Sequence, residues 1–310
     1  GVFDMTAMLL ACGVGNAETV LFAQQMVPEH TELQWLLSCT SRMGWLSRMT
    51  QFKDKGGAGE ETAFRAGFNA GYGYSDAHGA ADGADEAWEK FDQQQRTSVG
   101  VGLFTYPILQ AADVLLYDAT HVPVGDDQDQ HLQLARDIAD KFNHDYGVDL
   151  FTKPKAMMSE ATRVMSLKNG AKKMSKSDPD DMTRINLIDA PELITKKYRR
   201  ATTDLLMLPS EPEGLAGRRE VTNLVTIYAA LVGDSVETVL RELGGQGHGV
   251  LKQRLADATV AVFEPIARRY GEYRSDEDRL MSILQHGAMS ASIVAGAKMN
   301  EVRKTIFGYM

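Results

Sequence analysis

The sequence predicts an α/β body followed by an all-helical C-terminal domain. Up to residue 188, short apolar runs bounded by glycine or proline alternate with stretches of helical spacing, a pattern typical of α/β proteins. From residue 189 onward the apolar positions keep a helical period. A chain of 310 residues with 44% hydrophobic and 24% charged residues is also long and apolar enough to bury two cores.

Residues 1–101 begin with predicted helices and one predicted strand. The apolar segment from Met5 to Cys12 predicts a helix that ends at Gly13, because glycine favours the left-handed conformation that closes many helices. Thr19–Phe22 predicts a short buried strand. Pro28 opens a long helical stretch that continues to Met49.

Residues 56–98 differ in composition from the rest of this first part. They hold eight glycines, eight acidic residues and three basic residues, and so contribute −5 of the net charge of −9. We interpret them as a surface insertion, mostly loop, within a connecting region that spans residues 1–101. The overall negative charge argues against indiscriminate nucleic-acid binding, although local basic clusters can still hold phosphates.

Regular structure returns in residues 102–188, which we assign to the second half of the α/β body. A helix is predicted from Pro107, a strand over Val122–Val124, and a helix from Asp127 to Phe142. Residues 189–310 form the predicted helical domain.

Asp189 and Pro191 predict the first helix of that domain. Further helices are predicted over 221–231, 235–243, 251–270 and 277–307. A basic cluster in the first helix is open to two interpretations, a nucleic-acid contact or a solvated helix face. It comprises Lys196, Lys197, Arg199 and Arg200.

Several protein classes are excluded or disfavoured by composition. No stretch approaches the ~18 consecutive apolar residues that a membrane span needs, so we expect no membrane segment. Cys12 and Cys39 are the two cysteines, and neither lies in a CxxC or zinc-ligand pattern, so neither a disulfide framework nor a metal site is predicted. The first residues resemble neither a signal peptide nor a basic presequence.

The run Lys172–Pro179 is short, polar and ended by Asp-Pro, which predicts a loop. Lys173 and Lys176, with Ser175 between them, can close over a triphosphate and stabilise the charge on departing pyrophosphate. The alternative is a solvated basic turn. A chance match to the pentapeptide of residues 173–177 in this length is roughly one in ten thousand, which favours the functional interpretation.

A polar stripe is predicted on the helix of residues 104–117. Its members fall at positions i, i+4, i+7 and i+11: Tyr106, Gln110, Asp113 and Tyr117. A carboxylate amid alanine, valine and leucine is costly to bury unless a donor meets it, and a ligand's ring N–H is one such donor. A backbone amide or an arginine is the structural alternative.

Residues 122–131 read as strand, glycine turn and helix start, the place where α/β proteins bind ligands. Asp126 or Asp127 is suited to cap the following helix. An aspartate and Gln128 at such a turn are equally suited to hold a ribose or an ammonium group.

In order and spacing these segments resemble the tryptophanyl-tRNA synthetases, a family of class I aminoacyl-tRNA synthetases. The resemblance covers nearly the whole chain except 56–98, and the pentapeptide at 173–177 matches the second signature loop of class I. The Pro-Val-Gly-Asp-Asp-Gln phrase separates the chain from the tyrosine enzymes. The phrases that carry the resemblance are 49–55, 106–117, 121–128, 130–131 and 163–177.

The resemblance implies a class I Rossmann-like catalytic body and a helical anticodon-binding domain at 189–310. It implies ATP-dependent ligation of L-tryptophan to tRNA(Trp), with Mg²⁺ on the phosphates, in a homodimer. Asp113 would accept the indole N–H beside Gln110, Tyr106 and Gln128 would hold the amino group, and Val122 and Val124 would flank the ring. The implied ATP-binding residues are Gly125, Asp127, Val164, Met174, Lys173 and Lys176, with Lys173, Ser175 and Lys176 acting in catalysis.

Two departures from the family pattern qualify these expectations. The first class I signature, a His-x-Gly-His or His-x-Gly-Asn element, is absent from these residues, so we expect a fragment that lacks the first part of the catalytic body. A noncatalytic tRNA-binding or regulatory homologue and a tyrosine-type enzyme are the alternatives. Gln110 stands where many bacterial relatives have methionine, which favours the mitochondrial matrix over the cytoplasm.

Overall fold

The computed structural model describes residues 1–15, 18–49, 100–125, 128–158 and 164–308. Within them the helices are α1 (Val2–Ala11), α2 (Glu29–Thr40), α3 (Met43–Leu46), α4 (Val101–Leu115), α5 (Asp129–Tyr146), α6 (Pro191–Arg199), α7 (Arg219–Val232), α8 (Val236–Leu243), α9 (His248–Arg274) and α10 (Glu277–Phe307). The strands are β1 (His121–Val124) and β2 (Lys155–Met158).

The chain divides into two compact units, each built from separate stretches of sequence. The first unit comprises Gly1–Ala23 and Glu160–Gly287, and the second comprises Gln24–Ser159 and Ala288–Met310. This grouping differs from the predicted division at residues 101 and 188, because α1 packs on α9 and so joins the beginning of the chain to its helical part. The assignment of roles to 1–101, 102–188 and 189–310 remains a prediction.

The second unit is centred on a β1–α5–β2 connection. β1 and β2 run parallel, with His121 opposite Lys155 and Val124 opposite Met158. A parallel pair needs a crossover, and α5 supplies it before ending at Gly147, whose φ of 64° is the left-handed conformation that closes the helix. α4 packs between α2 and α5. The buried side chains of α4 include Ile108 and Leu115, and those of α5 include Leu134, Ile138 and Phe142.

The first unit is helical and has its own core. α9 packs against α1, α6 and α7, and α8 packs against α7. The core consists mainly of leucine and valine from these helices, including Leu224, Val225, Leu240, Leu251 and Leu255. These apolar residues recur at helical spacing, so the packing follows directly from the periodicity of the sequence.

Most predicted elements are confirmed, and the exceptions have physical explanations. The predicted strand at Thr19–Phe22 is wrong: the segment has no strand partner among the described residues, and Leu21 instead packs on the small core of Ala7, Leu10 and Leu280. The helical stretch from Pro28 is interrupted after Thr40, where Ser41 adopts an extended conformation with ψ of 151°.

Two predicted helix starts also move. The helix predicted from Pro107 begins at Val101, so the proline lies inside α4. The helix predicted from Asp127 begins at Asp129, with Gln128 in the capping position. Residues 56–98 lie outside the described part of the chain.

The helices predicted for the C-terminal part are confirmed, with ends shifted by a few residues. Within the described residues α10 is long and apolar enough to cross a membrane, a test that core helices of soluble proteins also pass. The expected absence of a membrane segment therefore remains a prediction.

Candidate functional site

The polar stripe predicted on α4 is present, and every member has a defined polar partner. Tyr106, Gln110 and Asp113 lie on the helix, and Tyr117 lies two residues beyond its last residue. Around them the helix buries Pro107, Ile108, Ala111, Ala112 and Leu115. The stripe is therefore the polar edge of a helix that is otherwise packed into the core of its unit.

Asp113 is the most heavily bonded member of the stripe. Its carboxylate accepts from His30 Nδ1 at 2.7 Å and from Gln24 Nε2 at 2.7 and 2.8 Å to its two oxygens. The structural alternative of a backbone amide or an arginine does not occur among the described contacts. The carboxylate side chain is 35% exposed, so it remains open to a further donor.

Tyr106 and Gln110, the other two stripe residues on α4, form hydrogen bonds with residues of α5 and its N-cap. The Tyr106 hydroxyl lies 2.8 Å from Nε2 of the buried His131, and Gln110 Nε2 donates to Gln128 Oε1 at 3.2 Å. Burial raises the pKa of the Tyr106 phenol, so the hydroxyl keeps its proton at neutral pH. The structure therefore brings together Tyr106, Gln110 and Gln128, which the sequence assigned to tryptophan binding.

The remaining predicted residues around the β1 turn are only partly described. Val122 and Val124 alternate with exposed neighbours, so both point to the same half-buried face of β1. Gly125 is exposed at the end of the strand. Asp126 and Asp127 lie outside the described residues, as do residues 50–55 and 163 of the phrases that carry the resemblance, so the predicted role of Asp127 remains a prediction.

The lysine run belongs to the first unit and is a loop, as predicted. Its base is a short antiparallel bridge between Met165 and Lys173, extended by Met174 N donating to the Val164 carbonyl at 3.1 Å. Met174 packs against the core of the unit, whereas Lys173 and Lys176 are exposed. The bridge therefore places Val164 and Met174, both predicted to lie by the adenine, next to each other.

The lysines of the loop differ in their electrostatic environment. Lys172 Nζ forms an ion pair with Asp178 at 2.7 Å, and this hydrogen bond lowers the pKa of the Asp178 carboxyl. Lys173 and Lys176 form no ion pair with any described carboxylate. The Lys172–Asp178 pair thus joins the two ends of the loop, while the two predicted phosphate ligands have exposed amines that no described carboxylate pairs.

The base of the loop is held by α7. Asn223 is buried and makes a two-way contact with Met165: its Oδ1 accepts from the backbone N–H and its Nδ2 donates to the carbonyl, each at 2.9 Å. Gly170 N donates to the Glu220 carboxylate at 3.2 Å. A Cβ on Gly170 would lie 2.6 Å from the Arg219 carbonyl carbon, so only glycine permits this approach.

The basic cluster of the first predicted helix divides into two kinds of residue. Lys196 and Arg199 are exposed on α6, Arg200 is exposed at its C-cap, and all three remain available to phosphates. Lys197 is fully buried and pairs with Asp189 at 2.6 Å and Asp181 at 2.7 Å. Lys197 is therefore a structural cation, and its inclusion in a phosphate-binding cluster was wrong.

Three residues were not identified from the sequence, two beside the stripe in the second unit and one at the lysine loop in the first unit. His30 lies at the buried positions i, i+3 and i+7 shared with Leu33 and Leu37, a periodicity that marks it as an inward-facing polar residue. Asn223 likewise stands on the buried face of an apolar helix. His131 lies in one of the segments that resemble the family, but the resemblance implied no role for it. A polar residue at an apolar position was the signal in each case.

Comparison with known proteins shows which family the chain resembles. A family model described as tRNA synthetases class I (W and Y) matches residues 2–68 and 83–264. The tryptophan–tRNA ligase of Brucella melitensis is 42% identical, with 98% of this chain and 81% of the relative covered.

Two solved structures agree with that match. The Campylobacter jejuni tryptophanyl-tRNA synthetase complexed with ADP and tryptophan is 30% identical with a TM-score of 0.70, over 98% of this chain and 82% of that one. The Mycoplasma pneumoniae enzyme is 29% identical with a TM-score of 0.73, over 99% and 82%. They confirm the predicted class I fold, a Rossmann-like body with a helical C-terminal region. The chain therefore belongs to the class I tRNA synthetases of the W and Y type.

Proposed function

We propose that this chain is a tryptophan–tRNA ligase, which activates L-tryptophan with ATP to tryptophanyl-AMP and transfers the amino acid to tRNA(Trp). The observation that carries the proposal is Asp113, a carboxylate held by a buried histidine at the edge of an apolar helix. Such a group suits a ligand that is apolar except for one N–H donor, which describes indole.

Specificity against tyrosine follows from the same chemistry. A phenol can donate a hydrogen bond, but it is smaller than indole and places its donor at the end of the ring rather than at its side. Val122 and Val124 share a half-buried face of β1 and are suited to contact the two sides of a flat ring. We therefore assign indole recognition to Asp113 and ring contact to the two valines.

The activation step needs charge stabilisation more than proton transfer. The carboxylate of the amino acid is already ionised at pH 7 and attacks the α-phosphate in line, so no general base is required. The leaving pyrophosphate gains negative charge, which the exposed amines of Lys173 and Lys176 are suited to neutralise. Ser175 adds a hydroxyl donor, and Val164 with Met174 gives an apolar surface for the adenine.

The cofactor and partners of the reaction belong to the same proposal. The described residues contain no group of three or more His, Cys, Asp or Glu that could hold a metal ion, so we propose that Mg²⁺ arrives bound to the phosphates of ATP. We propose that the helices of 189–310 bind the anticodon end of tRNA, with the exposed Lys196, Arg199 and Arg200 near phosphates. A homodimer and a mitochondrial rather than cytoplasmic location complete the proposal.

Tryptophan-dependent exchange of pyrophosphate into ATP by the full-length protein tests the function. We expect exchange with tryptophan and none with tyrosine, and we expect transfer to tRNA(Trp). Exchange with tyrosine alone would disprove the specificity. Retained tRNA binding without any exchange would favour a noncatalytic homologue instead.

Asp113→Ala gives a sharper test of the indole assignment. The variant leaves the ligand N–H without an acceptor, which costs ~1 to 3 kcal/mol, so tryptophan use should fall roughly 5- to 150-fold. The dissociation constant for ATP, measured by titration, should stay within about twofold of the original value. Equal loss of affinity for both ligands would contradict the role of Asp113.

A further inference from the structure

We infer that His30 and Tyr117 form a positioning pair that fixes the orientation of the Asp113 carboxylate for the indole N–H. In this role neither residue contacts the substrate itself. The inference deepens the proposed function and rests on it, because Asp113 must first be the group that recognises the ring.

The geometry is a continuous chain of three side chains, in which His30 of α2 lies between Asp113 and Tyr117 at the C-terminal end of α4. Tyr117 OH lies 2.8 Å from His30 Nε2, and His30 Nδ1 lies 2.7 Å from Asp113 Oδ1. Both ring nitrogens of the histidine are therefore engaged in this chain. The rings of His30 and Tyr117 also contact each other, with centroids 5.4 Å apart.

The acceptor character of the carboxylate fixes the direction of the hydrogen bond between His30 and Asp113. A carboxylate is an acceptor, so His30 Nδ1 must carry the proton and donate to Asp113. In the neutral tautomer Nε2 is then an acceptor, and the Tyr117 hydroxyl donates to it. Burial is the main cause that raises the pKa of Tyr117 to about 12, so the phenol keeps the proton that it donates.

Burial separates His30 from the second partner of Asp113. The His30 side chain is 3% exposed and cannot leave the carboxylate without opening the core between α2 and α4. Gln24 is exposed and lies on a short 3-10 turn, so its amide can give way to another donor. His30 is thus the buried donor to Asp113, and the exposed side of the carboxylate is left for the indole N–H.

The test compares tryptophan with its benzothiophene analogue, in which sulfur replaces the ring N–H. Pyrophosphate exchange by the full-length protein is measured with both substrates for the unmodified protein, His30→Ala, His30→Asn and Tyr117→Phe. Without its histidine, Asp113 can turn away from the substrate. We expect His30→Ala to lower kcat/KM for tryptophan roughly 10- to 100-fold, but that for the analogue less than about 3-fold.

Two conservative variants separate positioning from folding. His30→Asn places an amide near the position of Nδ1 and should recover part of the preference for tryptophan. Tyr117→Phe removes only the outer hydrogen bond and should cause a smaller loss in the same direction, which keeps the inference testable if His30→Ala does not fold. His248→Ala removes a partly buried histidine that is also paired with an aspartate, Asp204 at 3.2 Å in the other unit, and should leave the substrate preference unchanged.

Each outcome decides the inference. A tryptophan-selective loss in His30→Ala, with recovery in His30→Asn, supports it. Equal losses for tryptophan and the analogue mean that His30 has only a structural role, and they overturn the inference while leaving the proposed function intact. Unmodified protein without tryptophan-dependent exchange overturns the proposed function itself.

Discussion

The contact between Asn223 and Met165 allows a quantitative prediction about the lysine loop. Asn223→Ala removes two hydrogen bonds of 2.9 Å that hold both backbone groups of Met165. Each bond contributes ~1 kcal/mol to stability, and both residues line a cavity of about 320 Å³ that can admit water to the freed groups. We therefore expect the free energy of unfolding to fall by ~2 kcal/mol rather than by the larger cost of two unsatisfied groups.

Asn223→Ala should also lower activity with ATP, and this loss should be the larger effect. Met165 pairs with Lys173 at the base of the loop, so a shift of this backbone moves a predicted phosphate ligand. Displacements on the order of 1 Å in such groups cost up to ~100-fold in rate. We expect kcat/KM for ATP to fall at least roughly 10-fold in pyrophosphate exchange, while the dissociation constant for tryptophan stays within about twofold.

Asn143 supplies a matched control in the other unit. Its Nδ2 donates to the Phe151 carbonyl at 2.9 Å, and its Oδ1 accepts from the backbone of Leu150 and Phe151 at 3.1 and 3.0 Å. Asn143→Ala should cost at least as much stability in urea unfolding but leave the kinetics with ATP unchanged. The reasoning is refuted if the two variants alter ATP use equally, or if Asn223→Ala loses stability and keeps its ATP kinetics.

Three further predictions concern the first unit. Gly170→Ala would place a Cβ 2.6 Å from the backbone of Arg219, so it should lower thermal stability by ~1 to 3 kcal/mol, and an unchanged melting temperature would contradict this close approach. Lys197→Met leaves the 7% exposed Asp189 carboxylate without its cation and should cost ~3 to 5 kcal/mol in urea unfolding, a value below ~1 kcal/mol being the contrary result. Burial raises the pKa of Tyr198 to about 12, so stability from its protonated form is present below about pH 10 and is lost as the pH rises to about 12. The free energy of unfolding, measured from about pH 10 to about pH 12, should therefore decline less steeply in Tyr198→Phe than in the original protein.

The helices could be predicted where packing and periodicity agree. α10 runs from Glu277 to Phe307 as predicted, because its start and its apolar spacing both lie within the segment itself. The strand predicted at Thr19–Phe22 failed because an apolar run of four residues does not specify its partner, and Leu21 found a helical core instead of a sheet. Local pattern therefore determines a helix more completely than it determines a strand, whose hydrogen bonds come from elsewhere in the chain.

The site followed the same rule. The stripe on α4 was visible because its members are separated by single helical turns. The partners of Asp113 were not, since His30 lies 83 residues away in sequence and Gln24 lies 89 residues away. Sequence reasoning identified the carboxylate that requires a donor, but only the fold identifies the donor.

Internal pairing distinguishes the lysines that bind ligands from those that hold the structure. If Lys173 or Lys176 formed an internal ion pair, each phosphate contact would first have to break it, and the gain in charge stabilisation would be reduced by that loss. Lys172 and Lys197, by contrast, are paired with the carboxylates of Asp178 and Asp189, which are 9% and 7% exposed.

Lys172→Met should therefore change the shape of the loop, whereas Lys173→Met should change its charge. We expect only the second variant to weaken the dependence of ATP binding on ionic strength, because Lys173, unlike Lys172, forms no ion pair with a described carboxylate. Titrations of ATP between low and high salt measure this difference, and parallel salt dependence in both variants would contradict the distinction.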